Sequence, residues 1–447
     1  MLFENLRSAQ RAEDLAVEMR TLASELYPIC RSITGNGVRH TFDLLGRWIP
    51  LQRHEVPSGT RVFDWEVPDE WNIADAYIAD AEQRRIVDLR RHSLHVVSYS
   101  IPVRATMTLA QLQSHLHSLP DHPDRIPYRT SYYERSWGFC LRHEDRLRLG
   151  PGPYEVVIDS KLEPGNLTYA ECIVPGTTGR HGIVYTHSCH PSLANDNLSG
   201  LVVAAALARA MLQERTRLTW HFVFGPGTIG SLAWLSRNES MLVRLRTGLV
   251  LGLLGDSAAL TYKRSRRSDS VTDRTAELIL PQVAPDARVV NFEPYGYDER
   301  QFCSPGFDLP VGRLTRSAQS GFPEYHSSAD DLTLLESGRL GESLRAAAML
   351  MAALDVDRVP VNQSPKGEPR LGKRGLYSAV GGQAPKDFER ALLWVLNQGD
   401  GSRTLVDIAR RSGLPLDLLD RAAAALEAAE LVRCPHDEPS ATRSATP

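Results

Sequence analysis

Two histidines and two aspartates, His190, Asp196, Asp256 and His326, each follow an apolar run in this chain, and together they form a donor set suited to Zn²⁺. The segment His187-Ser-Cys-His-Pro-Ser-Leu-Ala-Asn-Asp-Asn-Leu-Ser-Gly200 is the richest in such chemistry. The preceding run, Gly182-Ile-Val-Tyr-Thr-His187, reads as a buried strand whose carboxyl end opens into a loop, where the ligands of open α/β sheets collect. His190 offers a neutral imidazole and Asp196 a carboxylate, and the small residues Asn197, Ser199 and Gly200 let a helix begin close to an ion. A loop histidine beside an N-capping aspartate would look the same in isolation. The repetition decides: Leu218 to Phe224 reads as a strand followed by Gly225-Pro-Gly-Thr-Ile-Gly-Ser231 and a helix around Trp234, Thr247 to Leu254 runs into Gly255-Asp256, and Gly321 to Asp330 carries His326 late in the same region.

The elements that must position these residues change in texture along the chain. Leu15 to Tyr27 and Val38 to Trp48 carry helical periodicity, joined by the turn Ser32 to Gly37. From Glu55 to Pro153 the pattern becomes short alternating runs such as Arg61 to Val67 and His95 to Val103, broken by Pro, Gly and Asp, which reads as a β-rich insertion. The α/β pattern resumes from Tyr154 to about Val356, Pro360 to Lys373 reads as a linker, and Pro385 to Val432 is helical, with Ser402 to Pro415 spaced like a helix-turn-helix. The expected organisation is therefore a discontinuous α/β domain over 1–54 and 154–358, a β-rich insertion over 55–153 and a helical domain over 374–436. The last dozen residues read as disordered.

Composition narrows the function classes. A 447-residue chain with 42% hydrophobic and 23% charged residues has ample core for two or three soluble domains. A net charge of −3 argues against nucleic-acid and membrane-surface partners, and no apolar stretch reaches the roughly 18 residues that span a bilayer. Charged residues follow Met1-Leu-Phe-Glu-Asn where a signal peptide would have its apolar core, so a cytoplasmic location is expected. The six cysteines include no C-x-x-C pair, which suggests neither a disulfide framework nor a cysteine zinc ribbon; Cys189 reads first as a small apolar residue at a strand end. Between Lys386 and Arg433 there are seven basic and eight acidic residues, a balance that fits a packing or dimerisation module, and hence a homo-oligomer, better than a DNA-binding domain.

Several segments resemble a bacterial family of aminopeptidase-like proteins in the zinc aminopeptidase clan that also contains glutaminyl cyclases. They include Ser32-Ile-Thr-Gly-Asn-Gly37, Val62-Phe-Asp-Trp-Glu-Val-Pro68, Trp137-Gly-Phe-Cys140, Cys189-His-Pro-Ser192, Thr261-Tyr-Lys-Arg-Ser-Arg-Arg267, Asp298-Glu-Arg-Gln-Phe-Cys-Ser-Pro-Gly306 and Glu324-Tyr-His326. The resemblance covers nearly the whole chain. It implies a zinc-aminopeptidase-like mixed sheet with helices on both faces, an inserted β-rich domain and a C-terminal winged-helix-like domain, with His190, Asp196, Asp256 and His326 as metal ligands. One departure stands out: the family turn Pro-Glu-Thr-Ile-Gly-Ser, whose glutamate serves as general base or metal ligand, here reads Pro226-Gly227-Thr-Ile-Gly-Ser231. Losing a general base typically costs roughly 10²- to 10⁴-fold in rate.

Two further clusters, and aromatics of the insertion, could hold a substrate near the metal. Lys263, Arg264 and Arg266, following a strand near Asp256, could clamp an anionic substrate group. Asp298, Glu299 and Arg300 lie on a loop whose acidic residue contacts substrate or ligands elsewhere in the clan, making Glu299, or else Glu324, a replacement proton carrier. Tyr133 and Trp137 of the insertion could close over the cleft as a lid, or pack in its core. Three readings follow: a zinc hydrolase acting on a small aminoacyl or amide substrate, a mononuclear Lewis-acid acyl or aminoacyl transferase or cyclase, and a non-catalytic binding protein that keeps the cleft.

Overall fold

The structure, a computed structural model, describes residues 3, 6, 8–317, 321–376 and 387–435. Its centre is an eight-stranded mixed sheet in the order Gln52–Pro57, Asn166–Val174, Thr219–Gly225, His181–His187, Leu245–Leu251, Val311–Thr315, Thr261–Lys263, Arg288–Val290. The four central strands are mutually parallel, which requires helical crossovers and buries both faces. Alternate residues accordingly serve opposite cores: Val184, Phe222 and Leu249 pack with helices Ala9–Leu26, Gly200–Met211 and Ser337–Val356, whereas Ile183, Tyr185, Val223 and Val250 pack with Ile229–Arg237 and the inserted domain.

Local signals explain the first helix. Ser8 caps Ala9–Leu26 by accepting from the Arg11 N–H, and Leu15, Met19, Leu22 and Leu26 recur every three or four residues on its buried stripe. The helix that follows the loop 188–199 needs Gly200, because a Cβ there would stand 2.5 Å from Asn197 Oδ1 and 2.8 Å from the Leu251 carbonyl.

The insertion forms a four-stranded antiparallel sheet, Arg85–Asp88, Glu70–Ala79, Tyr154–Glu163 and Val103–Met107. Its limits differ from the sequence reading at both ends. Gln52–Pro57 belongs wholly to the main sheet, and Tyr154–Glu163, read as the resumption of the α/β domain, is the central partner of the inserted one. The main sheet resumes only at Asn166. The run Tyr154 to Glu163 is too apolar at its start to reveal which sheet it joins.

At the C-terminal end, helices Asp387–Gln398, Leu405–Ser412 and Leu416–Ala428 pack around their own core, with Thr404 and Asp407 forming a capping box and Gly413 closing the second helix at φ 70°. Val361–Asn362, within the expected linker, pairs with Val432–Arg433 and so belongs to this domain. The expected disordered tail, 436–447, lies outside the described residues. No described helix is long and apolar enough to cross a membrane.

Candidate metal centre

Strand His181–His187 delivers His187 to the carboxyl edge of the sheet, and the chain then turns so that His190 and Asp196 face it. One donor atom from each of these three residues lies within 4.8 Å of the other two. His187 Nε2 donates to Asp196 Oδ1 at 2.8 Å, and His326 Nε2 donates to Oδ2 at 3.1 Å. Asp196 is thus the hub of four side chains. His190 Nδ1 stands 3.4 Å from Asp196 Oδ1 in a geometry that makes no hydrogen bond, leaving a buried nitrogen without a partner.

The loop carrying Asp196 is held from behind. Asp330 accepts the backbone N–H groups of Asn195 (2.6 Å) and Asp196 (2.9 Å), and Asn197 donates to the His187 carbonyl at 3.0 Å and to Thr186. Ser192, Thr228, Leu253 and His326 all carry φ between 43° and 61°, a region that side-chain-bearing residues rarely adopt, and all four lie on loops around this cluster.

Electrostatics suit a cation. Burial pushes His190 down to about 4, so its imidazole is neutral and has a lone pair to offer. Burial alone would push Asp196 up, but His190 and the hydrogen bonds from His187 and His326 outweigh it and hold the carboxyl well below its ordinary range. A neutral imidazole at His190 with its nitrogen buried and orphaned, two further histidines and an ionised carboxylate in one place fit a zinc ion. Tyrosines surround the group: Tyr297 stacks on His187 (4.8 Å between ring centres), Tyr325 stacks on His326 (3.9 Å), and Tyr128 of the insertion meets His190 and His326 edge-on, both at 5.1 Å.

The remaining expected residues separate sharply. Asp256 does not join the group. Strand Leu245–Leu251 ends five residues earlier and the intervening loop turns away, so the Asp256 carboxylate instead accepts from Asn195 Nδ2 (2.7 Å) and the Ala258 N–H (2.8 Å). Glu299 is fully buried but faces Lys263 Nζ at 2.8 Å and Arg313 at 3.4 Å, an internal ion pair rather than an approach to the histidines. Glu324 precedes His326, and its carboxylate makes no hydrogen bond among the described residues. Arg264 pairs with Glu277 and Arg266 with Asp308. Arg300 is half-buried, with its Nε unpartnered. Trp137 stacks on His115 inside the insertion, at 3.6 Å, and Tyr133 is half exposed on the insertion's surface.

Asp298, expected only as a substrate contact, sits under the turn that carries Gly227. Its Oδ1 accepts from the Thr228 N–H (2.8 Å) and Ser231 Oγ (2.6 Å), while its buried Oδ2 has no partner. Burial raises this carboxyl and the nearby His187 lowers it, with burial prevailing. A Cβ on Gly227 would meet only Cys189 Sγ at 3.7 Å and His187 Cβ at 3.8 Å, so the turn has room for a side chain beside the cluster. His187 itself was missing from the expected ligands. The signal was in the sequence, since it is the residue that ends the strand, but a histidine closing an apolar run is read first as core.

Known proteins agree with this fold. Residues 20–357 match a family described as "Domain of unknown function (DUF4910)", and residues 358–434 match a winged helix-turn-helix family. The chain is 45% identical over 425 residues, 95% of its length and 98% of the relative's, to a Clostridium acetobutylicum protein named "Putative polysaccharide biosynthesis protein with aminopeptidase-like domain". A crystal structure of a "putative peptidase" from Clostridium acetobutylicum superposes with a TM-score of 0.86 at 44% identity, covering 96% of this chain and 98% of that one. A zinc aminopeptidase from Bacillus subtilis shares the fold at a TM-score of 0.56 and 14% identity, covering 76% of this chain and 94% of that one.

Proposed function

The chain belongs to the DUF4910 family and carries a C-terminal winged helix; from that premise we propose that it is a zinc-dependent, aminopeptidase-like enzyme acting on a small aminoacyl or amide substrate. The observation that carries this reading is the convergence of His187, His190 and His326 on one ionised carboxylate, with His190 Nδ1 buried and unpartnered. These four residues would hold the ion. When bound, zinc would supply Lewis acidity toward the acyl carbonyl.

The chain's own residues set the rest of the chemistry. Gly227 removes the carboxylate expected on its turn, and Asp298, anchored to that turn through one oxygen and free at the other, is the group best placed to carry a proton there. Glu299 is withdrawn from that role by Lys263 and Arg313. Tyr128, Tyr297 and Tyr325 wall the site. The name of the Clostridium relative supports a substrate linked to a saccharide. The winged helix is docked on the enzyme domain by the ion pairs Arg410–Glu277 and Arg274–Asp407, which favours a packing role over nucleic-acid binding.

Loss of the glutamate favours a second reading, in which the same site transfers an acyl or aminoacyl group to an amine. One experiment separates the two. Zinc-loaded protein is incubated with an aminoacyl amide in the presence and absence of an acceptor amine, and the products are followed by mass spectrometry. Free acid in both cases supports hydrolysis, and a new amide formed only with the acceptor supports transfer. Absence of bound zinc after metal loading would sink both.

A further inference from the structure

We propose that an aromatic shelf on the inserted domain is a binding subsite for a neutral saccharide ring. The inference deepens the saccharide-linked substrate suggested above, and in that respect rests on it. Its physical basis is a separate pocket of about 420 Å³, lined by none of the residues clustered around Asp196.

Trp65, which meets Tyr133 edge-on at 5.5 Å, and Tyr133, which lines the pocket, form the shelf. They are 43% and 50% exposed, although side chains of this size normally bury most of their surface. The backbone conformation maintains this exposure at Tyr133, whose φ of 65° side-chain-bearing residues rarely adopt, so the fold sustains a costly geometry to present its ring to solvent.

The polar groups of the pocket select the ligand. Glu66, Asp69 and Glu134 face a single cation, Arg135, and none of the four joins an ion pair among the described residues. Two surplus negative charges repel an anionic ligand, and carboxylates with free lone pairs accept hydroxyl protons. A compact ammonium would require ring faces converging on a point. Trp65 and Tyr133 instead meet edge to face at 66°, exposing extended faces against which the C–H side of a sugar ring can lie.

A chain of tyrosines connects the pocket to the metal centre. Tyr99 lines the pocket, meets Tyr132 edge-on at 5.3 Å, and the Tyr132 hydroxyl lies 2.9 Å from that of Tyr128, whose ring covers His190 and His326. Consecutive residues thus serve the two sites, Tyr132 on the metal side and Tyr133 on the shelf.

The test titrates the zinc-loaded full chain with glucose, N-acetylglucosamine and cellotriose by calorimetry, with tetramethylammonium and phenylalaninamide as competing probes. At least one saccharide should bind, and Trp65→Ala and Tyr133→Ala should each weaken it roughly tenfold, about the value of one aromatic stacking contact. Because both side chains are exposed, circular dichroism and zinc content should be unchanged. Tyr133→Phe, which retains the ring, should bind like the unaltered protein. His190→Ala should lose zinc yet keep saccharide affinity, so failure of the metal reading is seen separately from failure of this one. No binding by any of the three saccharides, binding undiminished in both alanine variants, or displacement by tetramethylammonium would overturn the proposal.

Discussion

Two concentrations of charge stand at strand ends of the same sheet, the histidine cluster around Asp196 and the basic turn Lys263 to Arg267, and they resolve in opposite ways. In the basic turn every long side chain meets a counter-charge: Lys263 meets Glu299, Arg264 meets Glu277, and Arg266 and Arg267 share Asp308. Folding alone accounts for that arrangement. Around Asp196, three histidines crowd one carboxylate, His190 Nδ1 is buried without a hydrogen bond, and Asp298 Oδ2 nearby is equally orphaned. Buried atoms without a hydrogen bond occur in both places, Glu299 Oε2 and Arg264 Nε in the basic turn among them, but each cation of the turn faces a carboxylate, whereas around Asp196 three imidazoles converge on one ionised carboxylate, a donor set that suits a cation. Charge density in the sequence does not mark a site; the convergence of donor atoms in the fold does.

The largest effect that sharpens this contrast is on metal content. Replacing His190 or His326 with alanine should remove most of the zinc found by elemental analysis after dialysis, and His187→Ala should do the same. Asp256→Asn should leave zinc in place, because that carboxylate serves Asn195 and Ala258. Unchanged metal in both the His190 and His326 variants, or loss in the Asp256 variant, would overturn the assignment.

Next in size is Gly227→Glu. The new Cβ meets only ordinary contacts, and φ at this position is not in the left-handed region, so the turn should accept it without distortion. A restored carboxylate beside the cluster should raise zinc-dependent hydrolysis of aminoacyl amides by roughly 10²- to 10⁴-fold, read from initial rates. If the unaltered protein already turns over briskly, Asp298 is acting as the base, and Asp298→Asn should abolish that activity.

Much of this was legible before any coordinates, and the exceptions share one physical cause. Strand ends can be placed because apolar runs bounded by turn residues are local patterns, and the same patterns single out His190, Asp196 and His326, which the structure brings together. What a side chain does beyond a strand end depends on a few loop dihedrals. Asp256 follows an apolar run as Asp196 does, yet the loop through Leu253, at φ 53°, carries it to the back of Asn195. Asp298 and Glu299 are neighbours at the start of the short helix Glu299–Phe302, where successive side chains diverge by roughly 100°, so one faces the Gly227 turn and the other Lys263. Sequence offered no means of choosing between them. The inserted strand Tyr154–Glu163 was misplaced for a related reason, since pairing partners are non-local and the run carries no mark of which sheet it enters.

The basic turn can be broken at its buried member. Lys263 and Glu299 are almost wholly inaccessible, so Lys263→Met should leave a buried carboxylate facing only Arg313 and destabilise the protein by roughly 3–5 kcal/mol in denaturant unfolding. The double variant Lys263→Met, Glu299→Gln should recover part of that loss. A double variant no more stable than the single one would mean that packing of the lysine stem, rather than its charge, matters at this position.

The smallest expected effect lies at the exposed end of the same turn. Arg264 and Arg266 are the residues whose charge first suggested an anion clamp, and their guanidinium groups are instead taken up by Glu277 and Asp308. Arg266 is 44% exposed, and ion pairs in such settings are worth roughly 0–1 kcal/mol. Arg264→Gln together with Arg266→Gln should therefore lower stability by no more than about 1 kcal/mol for each pair broken, and the loss should shrink with added salt. Zinc content and affinity for a carboxylate probe such as acetate should not change. A clear drop in acetate affinity at constant zinc would show that these arginines leave their acidic partners to bind anions, and the contrast between an ion-paired turn and a convergent donor cluster would fail at that point.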